Sequence, residues 1–354
     1  IAQNLNIINT PVRFLRGKIL TMDTTKAKQS LSEAQNIVVI QAENPDGDSL
    51  GSALALEELL AEAGKNVTLY CAIDIPKYLR YIKGWDRVEK EWPTNADLAI
   101  IVDTSSKALL EQSLETPGVR HFLESHPVIV FDHHLNTEGD LPFETIAVVD
   151  PEAVATSEVI YEFAKDIGWV IPPQAAENMF ASLQADSLGL TTQNTTHKSY
   201  RTAADLVGLG AVPADIESRR REYMKKPADI LAYKGQLISR IEYDLDGRLA
   251  TVHIPWEEIE EYSDRYNPSV LVLDEMRLVD TVAVAVALKT YPDGKITGKI
   301  RANIPIAEDV AGYFGGGGHG YAAGFKLFET YDTIRTELLT AVEKAITTYE
   351  TAIS

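Results

Sequence analysis

Short apolar runs alternate with helical patterns through the first half of the chain. Five runs rich in β-branched residues predict buried strands at 36–40, 67–71, 97–102, 128–131 and 146–149. Apolar residues at helical spacing predict helices at 52–63, 157–166 and 175–185. Because parallel strands need a crossover connection, strands that alternate with helices favour a parallel sheet. The pattern therefore predicts an α/β domain with a mostly parallel sheet flanked by helices.

The pattern changes after residue 212. A charged helical stretch at 214–226 precedes strand-like alternation at 241–254, 281–288 and 295–304, and a helical pattern at 330–353 follows. We interpret this part as a second, smaller mixed-sheet α/β domain, joined to the first by a helical linker. The predicted organisation is an N-terminal extension at 1–34, a first domain at 35–212, a linker at 213–232 and a second domain at 233–354.

Charge and composition narrow the class of partner. The 354-residue chain carries a net charge of −19 and shows no basic stripe of the kind that grips long nucleic acid. We therefore expect a small nucleotide or a short oligonucleotide as partner. No apolar run approaches the roughly 18 residues that span a membrane. The single cysteine, Cys71, suits a reducing compartment, so we expect a cytoplasmic protein. A homodimer is the candidate assembly.

Acidic and histidine side chains follow the predicted strands and one helix. They are Asp46 and Asp48 after the first strand, Asp103 after the third, Asp132-His133-His134 after the fourth, and Asp186 after the helix at 175–185. Ligands of open α/β sheets bind outside the carboxyl ends of the strands, and carboxylates with imidazoles suit divalent cations. Each motif alone is also compatible with a solvated acidic turn or a helix cap. Their combination favours a metal site.

A glycine-rich segment at 314–324 reads Phe-Gly-Gly-Gly-Gly-His-Gly-Tyr-Ala-Ala-Gly. Consecutive glycines expose backbone N–H groups, and they have no side chain that would block a ligand. The segment is therefore suited to binding a phosphate, which His319 could also reach. A flexible linker is the alternative, but the position between apolar segments argues against it.

These motifs occur in the order found in the DHH phosphoesterases with a C-terminal DHH-associated domain, and the chain resembles that family over residues 35–340. It is most similar to the bacterial branch of oligoribonucleases, phosphoadenosine-phosphate phosphatases and cyclic-dinucleotide phosphodiesterases. A pyrophosphatase-like hydrolase is an alternative function. It is less favoured because the second domain lacks the Ser-Arg-Lys-Lys-Gln-type motif of the related family-II pyrophosphatases.

The resemblance implies two bound Mn²⁺ or Mg²⁺ ions that activate a water for attack on phosphorus. One ion would be held by Asp48, Asp103, His133 and Asp186, and the other by Asp46, the bridging Asp103 and a further histidine. His134 would lie close by, either supporting the metal ligands or in contact with phosphate, and Asp132 would orient a histidine. In the second domain the implied phosphate-binding residues are Arg301, Gly315, Gly316, Gly317, Gly318 and His319.

One position departs from the family pattern. Ala42 occupies the place of the further metal-binding histidine, so the second ion keeps oxygen ligands only, with Gln41 and Glu43 as neighbours. This leaves open a weak, substrate-recruited second ion, a one-metal enzyme, a nucleotide-binding protein with weakened or lost catalysis, or an engineered substitution. The remaining aspartates and both histidines favour an enzyme that hydrolyses nanoRNA, linear or cyclic dinucleotides, or 3′-phosphoadenosine phosphate.

Overall fold

The structure, a computed structural model, describes residues 24–134, 140–263 and 265–353. These residues form two compact units, one ending at Lys225 and the other beginning at Lys226. Most of the predicted N-terminal extension, residues 1–23, lies outside the described residues. Its described part is helix α1 (Thr24–Glu33), which buries Ala27 and Leu31 in the core of the first unit.

The first unit is built on a six-stranded sheet in which every pair of neighbours is parallel. In chain order its strands are β1 (Asn36–Ile40), β2 (Asn66–Tyr70), β3 (Val88–Glu89), β4 (Leu98–Val102), β5 (Val128–Asp132) and β6 (Ile146–Val149). Their spatial order is β3-β2-β1-β4-β5-β6. The five predicted strands are present, and only the two-residue β3 was too short to be predicted. Because all strands run the same way, their carboxyl ends share one edge of the sheet.

Helices cover both faces of this sheet, which explains why its strands are continuous apolar runs. They are α2 (Gly47–Glu62), α3 (Glu111–Glu115), α4 (Val119–Ser125), α5 (Thr156–Ile167), α6 (Pro173–Asp186), α7 (His197–Gly208) and α8 (Pro213–Tyr223). Alternate residues of β1 enter different cores. Ile37 and Val39 pack with α2, α5 and α6, whereas Val38 and Ile40 pack with α4.

The second unit has a mixed six-stranded sheet, as predicted. Its strands are β7 (Glu242–Asp244), β8 (Leu249–Ile254), β9 (Val284–Thr290), β10 (Lys295–Ala302), β11 (Gly317–His319) and β12 (Ala322–Phe328). The order is β11-β12-β10-β9-β8-β7, and only β8 and β9 are parallel neighbours. One face packs against α12 (Ala307–Tyr313) and α13 (Tyr331–Ile353). The other packs against α9 (Ala228–Ser239), α10 (Trp256–Tyr262) and α11 (Pro268–Arg277).

The predicted linker at 213–232 contains α8 and the beginning of α9. Ile216 of α8 is buried in the core of the first unit, and Ile230 of α9 is buried in the core of the second. The two helices therefore belong to different compact units. None of the helices that the structure describes combines the length and the apolar character needed to cross a membrane.

Candidate metal centre

Two glycines allow α2 and α6 to approach closely. A Cβ atom on Gly51 would lie 2.7 Å from the Cβ of Ser182, and one on Gly47 would also collide with α6. The helix predicted at 52–63 leaves out both glycines, but both lie inside α2, where they permit close helix packing. This packing brings Asp48 on α2 toward Asp186, the last residue of α6.

The two aspartates that follow the first predicted strand lie at the beginning of a helix. α2 begins at Gly47, five residues before the predicted start, because Asp46 caps it. Oδ1 of Asp46 accepts hydrogen bonds from the backbone N–H groups of Asp48 (2.9 Å) and Ser49 (3.0 Å). Burial raises the pKa of Asp46 above its usual value. Asp48 is therefore held on the helix rather than on a mobile loop.

Asp48 is buried and oriented by donors from three helices. Its Oδ2 accepts from the backbone N–H of Thr156 at 2.7 Å, at the beginning of α5. Its Oδ1 accepts from the hydroxyl groups of Ser52 (3.0 Å) and Ser182. These bonds compensate the burial of a carboxylate and fix its orientation.

Asp103 follows β4 in the left-handed backbone region, with φ of 62°. This conformation costs an L-residue on the order of 1 kcal/mol. Its backbone N–H donates to the carbonyl of Phe131 (2.9 Å), and its Oδ1 accepts from the hydroxyl of Thr156 (3.0 Å). Burial and the neighbouring Asp48 and Asp46 hold the pKa of Asp103 well above its usual value.

His133 faces three carboxylates with one ring nitrogen. Nδ1 lies 3.3 Å from the backbone carbonyl of Ala153. Since a carbonyl oxygen only accepts, Nδ1 carries the hydrogen and the lone pair lies on Nε2. Nε2 lies 3.6 Å from Oδ2 of Asp48, 3.7 Å from Oδ1 of Asp103 and 3.5 Å from Oδ2 of Asp186. The four side chains thus converge from α2, β4, β5 and α6.

Asp132 is fully buried at the end of β5 and holds the histidine pair. Its Oδ1 lies 2.6 Å from Nδ1 of His134 and also accepts from the backbone N–H groups of His133 (2.8 Å) and His134 (3.2 Å). The hydrogen bond to Asp132 raises the pKa of His134. The side chain of His134 is 58% exposed, so a ligand can reach it from solvent.

The charges of the cluster fit a divalent cation. Burial and the nearby Asp48 raise the pKa of Asp186 to about 6, and the pKa values of Asp46 and Asp103 are raised as well. Within the part of the chain that the structure describes, no lysine or arginine forms an ion pair with these carboxylates. Carboxylate oxygens and a neutral imidazole are suitable donors for Mn²⁺ or Mg²⁺. Such an ion would remove the repulsion that raises these pKa values.

Ala42 is buried at the end of β1 and has no metal-binding group. The carboxylate of Glu43 accepts from the backbone N–H groups of Gln112 (2.9 Å) and Ser113 (2.6 Å), so it is engaged at the beginning of α3. Gln41 is fully buried, and its amide has no hydrogen-bond partner among the described residues. Of these two neighbours, only Gln41 keeps uncommitted polar atoms.

In the second unit, the glycine-rich segment is held by hydrogen bonds to α12 and by strand pairing. The N–H groups of Gly315 (3.0 Å) and Gly316 (2.9 Å) donate to carbonyls at the end of α12, so the expectation that they are free was wrong. Residues Gly317–His319 form β11, which pairs with β12. The side chain of His319 lies outside the described part of the structure, and its role stays a prediction. Arg301 is half-buried on β10, where it donates to the carbonyl of Ile300 (3.0 Å).

Four groups on three residues orient the site and were not predicted from the sequence. These are the carbonyl of Ala153, the backbone N–H and hydroxyl of Thr156, and the hydroxyl of Ser182. A backbone carbonyl has no signature in sequence. The position of Thr156 just before the predicted helix at 157–166 was a usable signal, because the N–H groups of a helix N-terminus attract carboxylates.

Comparisons with known proteins identify relatives of this chain. Residues 36–187 match the DHH family, N-terminal domain. The chain is 29% identical over 291 residues to the bifunctional oligoribonuclease and PAP phosphatase NrnA of Thermus thermophilus, covering 80% of this chain and 82% of that protein. It is 23% identical over 312 residues to the protein of that name from Bacillus subtilis, covering 86% and 93%.

Among solved structures, an exopolyphosphatase-related protein from Bacteroides fragilis has the same fold. Its TM-score is 0.79 at 20% identity, covering 95% of this chain and 99% of that one. The resemblance inferred from the motifs is therefore confirmed. Residues 36–187 thus match the DHH-family N-terminal domain whose motif order and parallel sheet the sequence predicted, and the relatives indicate a phosphoesterase hydrolase.

Proposed function

We propose that this chain is a metal-dependent phosphodiesterase and phosphatase that acts on short nucleotides. The substrates would be nanoRNA, linear or cyclic dinucleotides, and 3′-phosphoadenosine phosphate. The observation that carries the proposal is the convergence of three carboxylates on Nε2 of His133, within 3.5 to 3.7 Å. The names of the two NrnA relatives support RNA oligomers and PAP. A further relative, the cyclic-di-AMP phosphodiesterase PdeA of Listeria monocytogenes, is 22% identical over 338 residues and supports cyclic dinucleotides.

The two proposed metal sites differ in how many of their expected ligands the chain supplies. Asp48, Asp103, His133 and Asp186 would hold one Mn²⁺ or Mg²⁺ ion, with every expected donor present. Asp46 and Asp103 would hold a second ion, without the imidazole that Ala42 replaces. Oxygen donors alone bind such ions more weakly, so a single bound ion would sit beside His133.

When bound, a divalent cation supplies a polarised water and offsets negative charge on the phosphate. The residues of the chain do the rest. Thr156 and Ala153 hold Asp48 and His133 in the geometry that receives the ion. Asp132 keeps the imidazole of His134 oriented, and its negative charge favours the protonated ring. His134 then donates a hydrogen bond to a phosphate oxygen.

The second unit would hold the phosphate of the nucleotide through Arg301, Gly317, Gly318 and His319. A Cβ atom added to Gly317 would meet nothing within 4 Å, so the backbone of β11 is open to a ligand there. The N–H groups of Gly315 and Gly316 are used by α12, so these two glycines would shape the approach rather than bind.

The proposed partners are small. With a net charge of −19, the chain would repel a long phosphate backbone, whereas one cationic side chain suffices for a terminal phosphate. We propose a cytoplasmic enzyme that acts on dissolved nucleotides, with a homodimer as the assembly to be tested.

The test is to count metal ions per chain and to assay the purified protein with Mn²⁺ or Mg²⁺. The substrates are linear diadenylate, a cyclic diadenylate and 3′-phosphoadenosine phosphate. Hydrolysis of at least one phosphoester, lost on chelation and restored by metal, is the expected result. His133→Gln should abolish it, with His121→Gln on α4 as the matched control. Tight nucleotide binding without turnover of any substrate would overturn the proposal.

A further inference from the structure

Leu188 projects into solvent directly after the metal centre. It lies two residues after Asp186, the last residue of α6, and its backbone is left-handed, with φ of 49°. The side chain is 73% exposed. A left-handed conformation is unfavourable for a leucine, and an exposed side chain gains little burial that would offset this cost. Folding therefore gives no reason for a leucine at this position.

Hydrogen bonds fix the turn that carries Leu188. The backbone N–H of Gly189 donates to the carbonyl of Gln184 at 2.9 Å. The carbonyl of Leu188 accepts from the hydroxyl of Thr191 at 2.8 Å. The turn thus imposes the left-handed conformation and presents the leucine side chain in one direction.

Leu190, two residues further on, shows the same backbone conformation with a different cause. Its φ is 66°, and its backbone N–H donates to the hydroxyl of Ser187 at 2.8 Å. Its side chain is only partly exposed and packs against the core of the first unit. Packing therefore accounts for the leucine at position 190 but not for the one at 188.

Tyr78 is a second exposed side chain next to the carboxylates. It belongs to a short 3₁₀ helix, Lys77–Leu79, and is 55% exposed. Its hydroxyl donates to the carbonyl of Pro45, the residue before Asp46, at 3.3 Å. Burial and, to a smaller extent, the charge of Asp46 raise the pKa of Tyr78. The hydroxyl is thus anchored beside the metal centre while part of the ring stays open to solvent.

The segments that carry Tyr78 and Leu188 meet at one helix contact. A Cβ atom on Gly47 would collide with the Cβ of Ala185, so the beginning of α2 touches the end of α6. Pro45, which anchors Tyr78, lies two residues before Gly47, and Leu188 lies three residues after Ala185. Both exposed side chains therefore lie beside the carboxylates that these helix ends carry. We call Tyr78 and Leu188 the apolar pair.

We propose that the apolar pair contacts the nucleobase next to the reacting phosphate and makes the site selective for phosphate esters that carry a base. The inference rests on the proposed function and names the residues that decide this choice. A base can stack on an aromatic ring and pack on an aliphatic side chain without a specific hydrogen bond. Such contacts tolerate every base, so we expect discrimination between a base and no base, rather than among the four bases.

The kinetic experiment compares diadenylate with two analogues, each of which lacks one of the two adenines. The measured quantity is the ratio of kcat/KM for diadenylate to that for each analogue. In the wild type, at least one analogue should be the poorer substrate. That ratio should fall about tenfold in Tyr78→Ala and about threefold in Leu188→Gly, because a stacked base loses its contact. Tyr243→Ala, an exposed tyrosine of β7 in the second unit, is the matched control for the ring.

Thermal melts separate this role from a structural one. Glycine suits a left-handed backbone, so Leu188→Gly should melt at the same or a higher temperature while losing selectivity. Asp246→Gly is the matched control, since Asp246 is exposed and left-handed with φ of 56° in the turn between β7 and β8. It should gain stability in the same way and keep its selectivity. Leu188→Asn, which also tolerates this backbone region, should lose selectivity without the added flexibility of glycine.

Two outcomes would overturn the inference: a wild type that hydrolyses both analogues as well as diadenylate, or a ratio that either Tyr78→Ala or Leu188→Gly leaves unchanged. Calorimetric titration with adenosine monophosphate and ribose 5-phosphate, in the presence of Mn²⁺, tests the contact without turnover. If no dinucleotide is hydrolysed, the proposed function fails. Weaker binding of adenosine monophosphate alone by both variants would still support the apolar pair, and unchanged binding would refute it.

Discussion

Asp132 and His134 form the shortest contact of the histidine pair, with 2.6 Å between Oδ1 and Nδ1. The carboxylate is fully buried, and the imidazole is largely exposed. A buried charge thus controls the protonation and the direction of a ring that solvent and substrate can reach. The partner of His133, by contrast, is the neutral carbonyl of Ala153. The two adjacent histidines therefore suit different ligands, His133 a cation and His134 an anion.

Replacing Asp132 with asparagine should lower kcat by about tenfold or more while leaving KM less affected, as is typical for partners that orient a site residue. The amide still accepts from Nδ1 but carries no charge, so the pKa of His134 should fall. NMR titration of the ring measures this shift. Asp150→Asn, after the neighbouring β6, is the control and should change neither quantity. An unchanged kcat in Asp132→Asn would show that the contact has no role in the reaction.

Asp186→Asn should have opposite effects on stability with and without metal. Without metal, the variant removes a half-buried negative charge that Asp48 repels, so its melting temperature should rise or stay equal. With Mn²⁺, the wild type should gain about 2.7 kcal/mol at a hundredfold excess over Kd, and the variant less because it lacks one ligand. Calorimetry measures both, with Glu162→Gln on α5 as an exposed control. Equal metal-induced shifts would remove Asp186 from the ligand set.

Ala42→His should increase the number of bound Mn²⁺ ions per chain from about one toward two, because the imidazole completes the oxygen-only set. Elemental analysis after gel filtration gives the count. Position 42 is buried, so the larger side chain should also cost about 1 to 3 kcal/mol of stability. Ala42→Leu reproduces that crowding without a ligand. A metal count that does not change would show that residue 42 lies away from the second ion.

Two neighbouring glycines should respond differently to alanine. A Cβ on Gly316 would lie 2.7 Å from the Cβ of Phe325, so Gly316→Ala should lower the melting temperature clearly. Gly317→Ala meets nothing within 4 Å and should leave stability within about 0.5 kcal/mol, yet raise KM if a phosphate approaches β11. Thermal melts and steady-state kinetics distinguish the two. A stable Gly316→Ala protein would contradict the packing argument.

The contribution of Lys289 to the free energy of unfolding should increase as the pH rises above about 8. Burial and, to a smaller extent, the neighbouring charge of Lys299 lower the pKa of Lys289 from the usual lysine value to about 8 in the folded protein. Between pH 8 and the usual lysine value, the unfolded chain binds more protons, so stability rises with pH in this window. Relative to Lys289→Met, the wild type should therefore gain stability from pH 7 to pH 10. Parallel melting curves for both proteins over that range would contradict the shift.

Much of the first unit could be predicted because its strands are buried on both faces. Apolar runs such as 36–40 and 128–131 leave few alternatives to a parallel strand, and the structure places β1 and β5 there. The short β11 could not be predicted in this way. Its glycines have no hydrophobic pattern, and its conformation depends on pairing with β12, a contact absent from local sequence.

The candidate site residues and the edge of the sheet where they gather could be predicted from sequence, because motif order and strand ends are local properties of the chain. How those residues meet depends on the folded protein. The close approach of α2 and α6 at Gly51, the left-handed conformation of Asp103 and the tautomer that Ala153 sets on His133 all depend on contacts between distant segments. Hydrogen bonds and helix packing act over a few ångströms in space, and such distances cannot be read from separation along the chain.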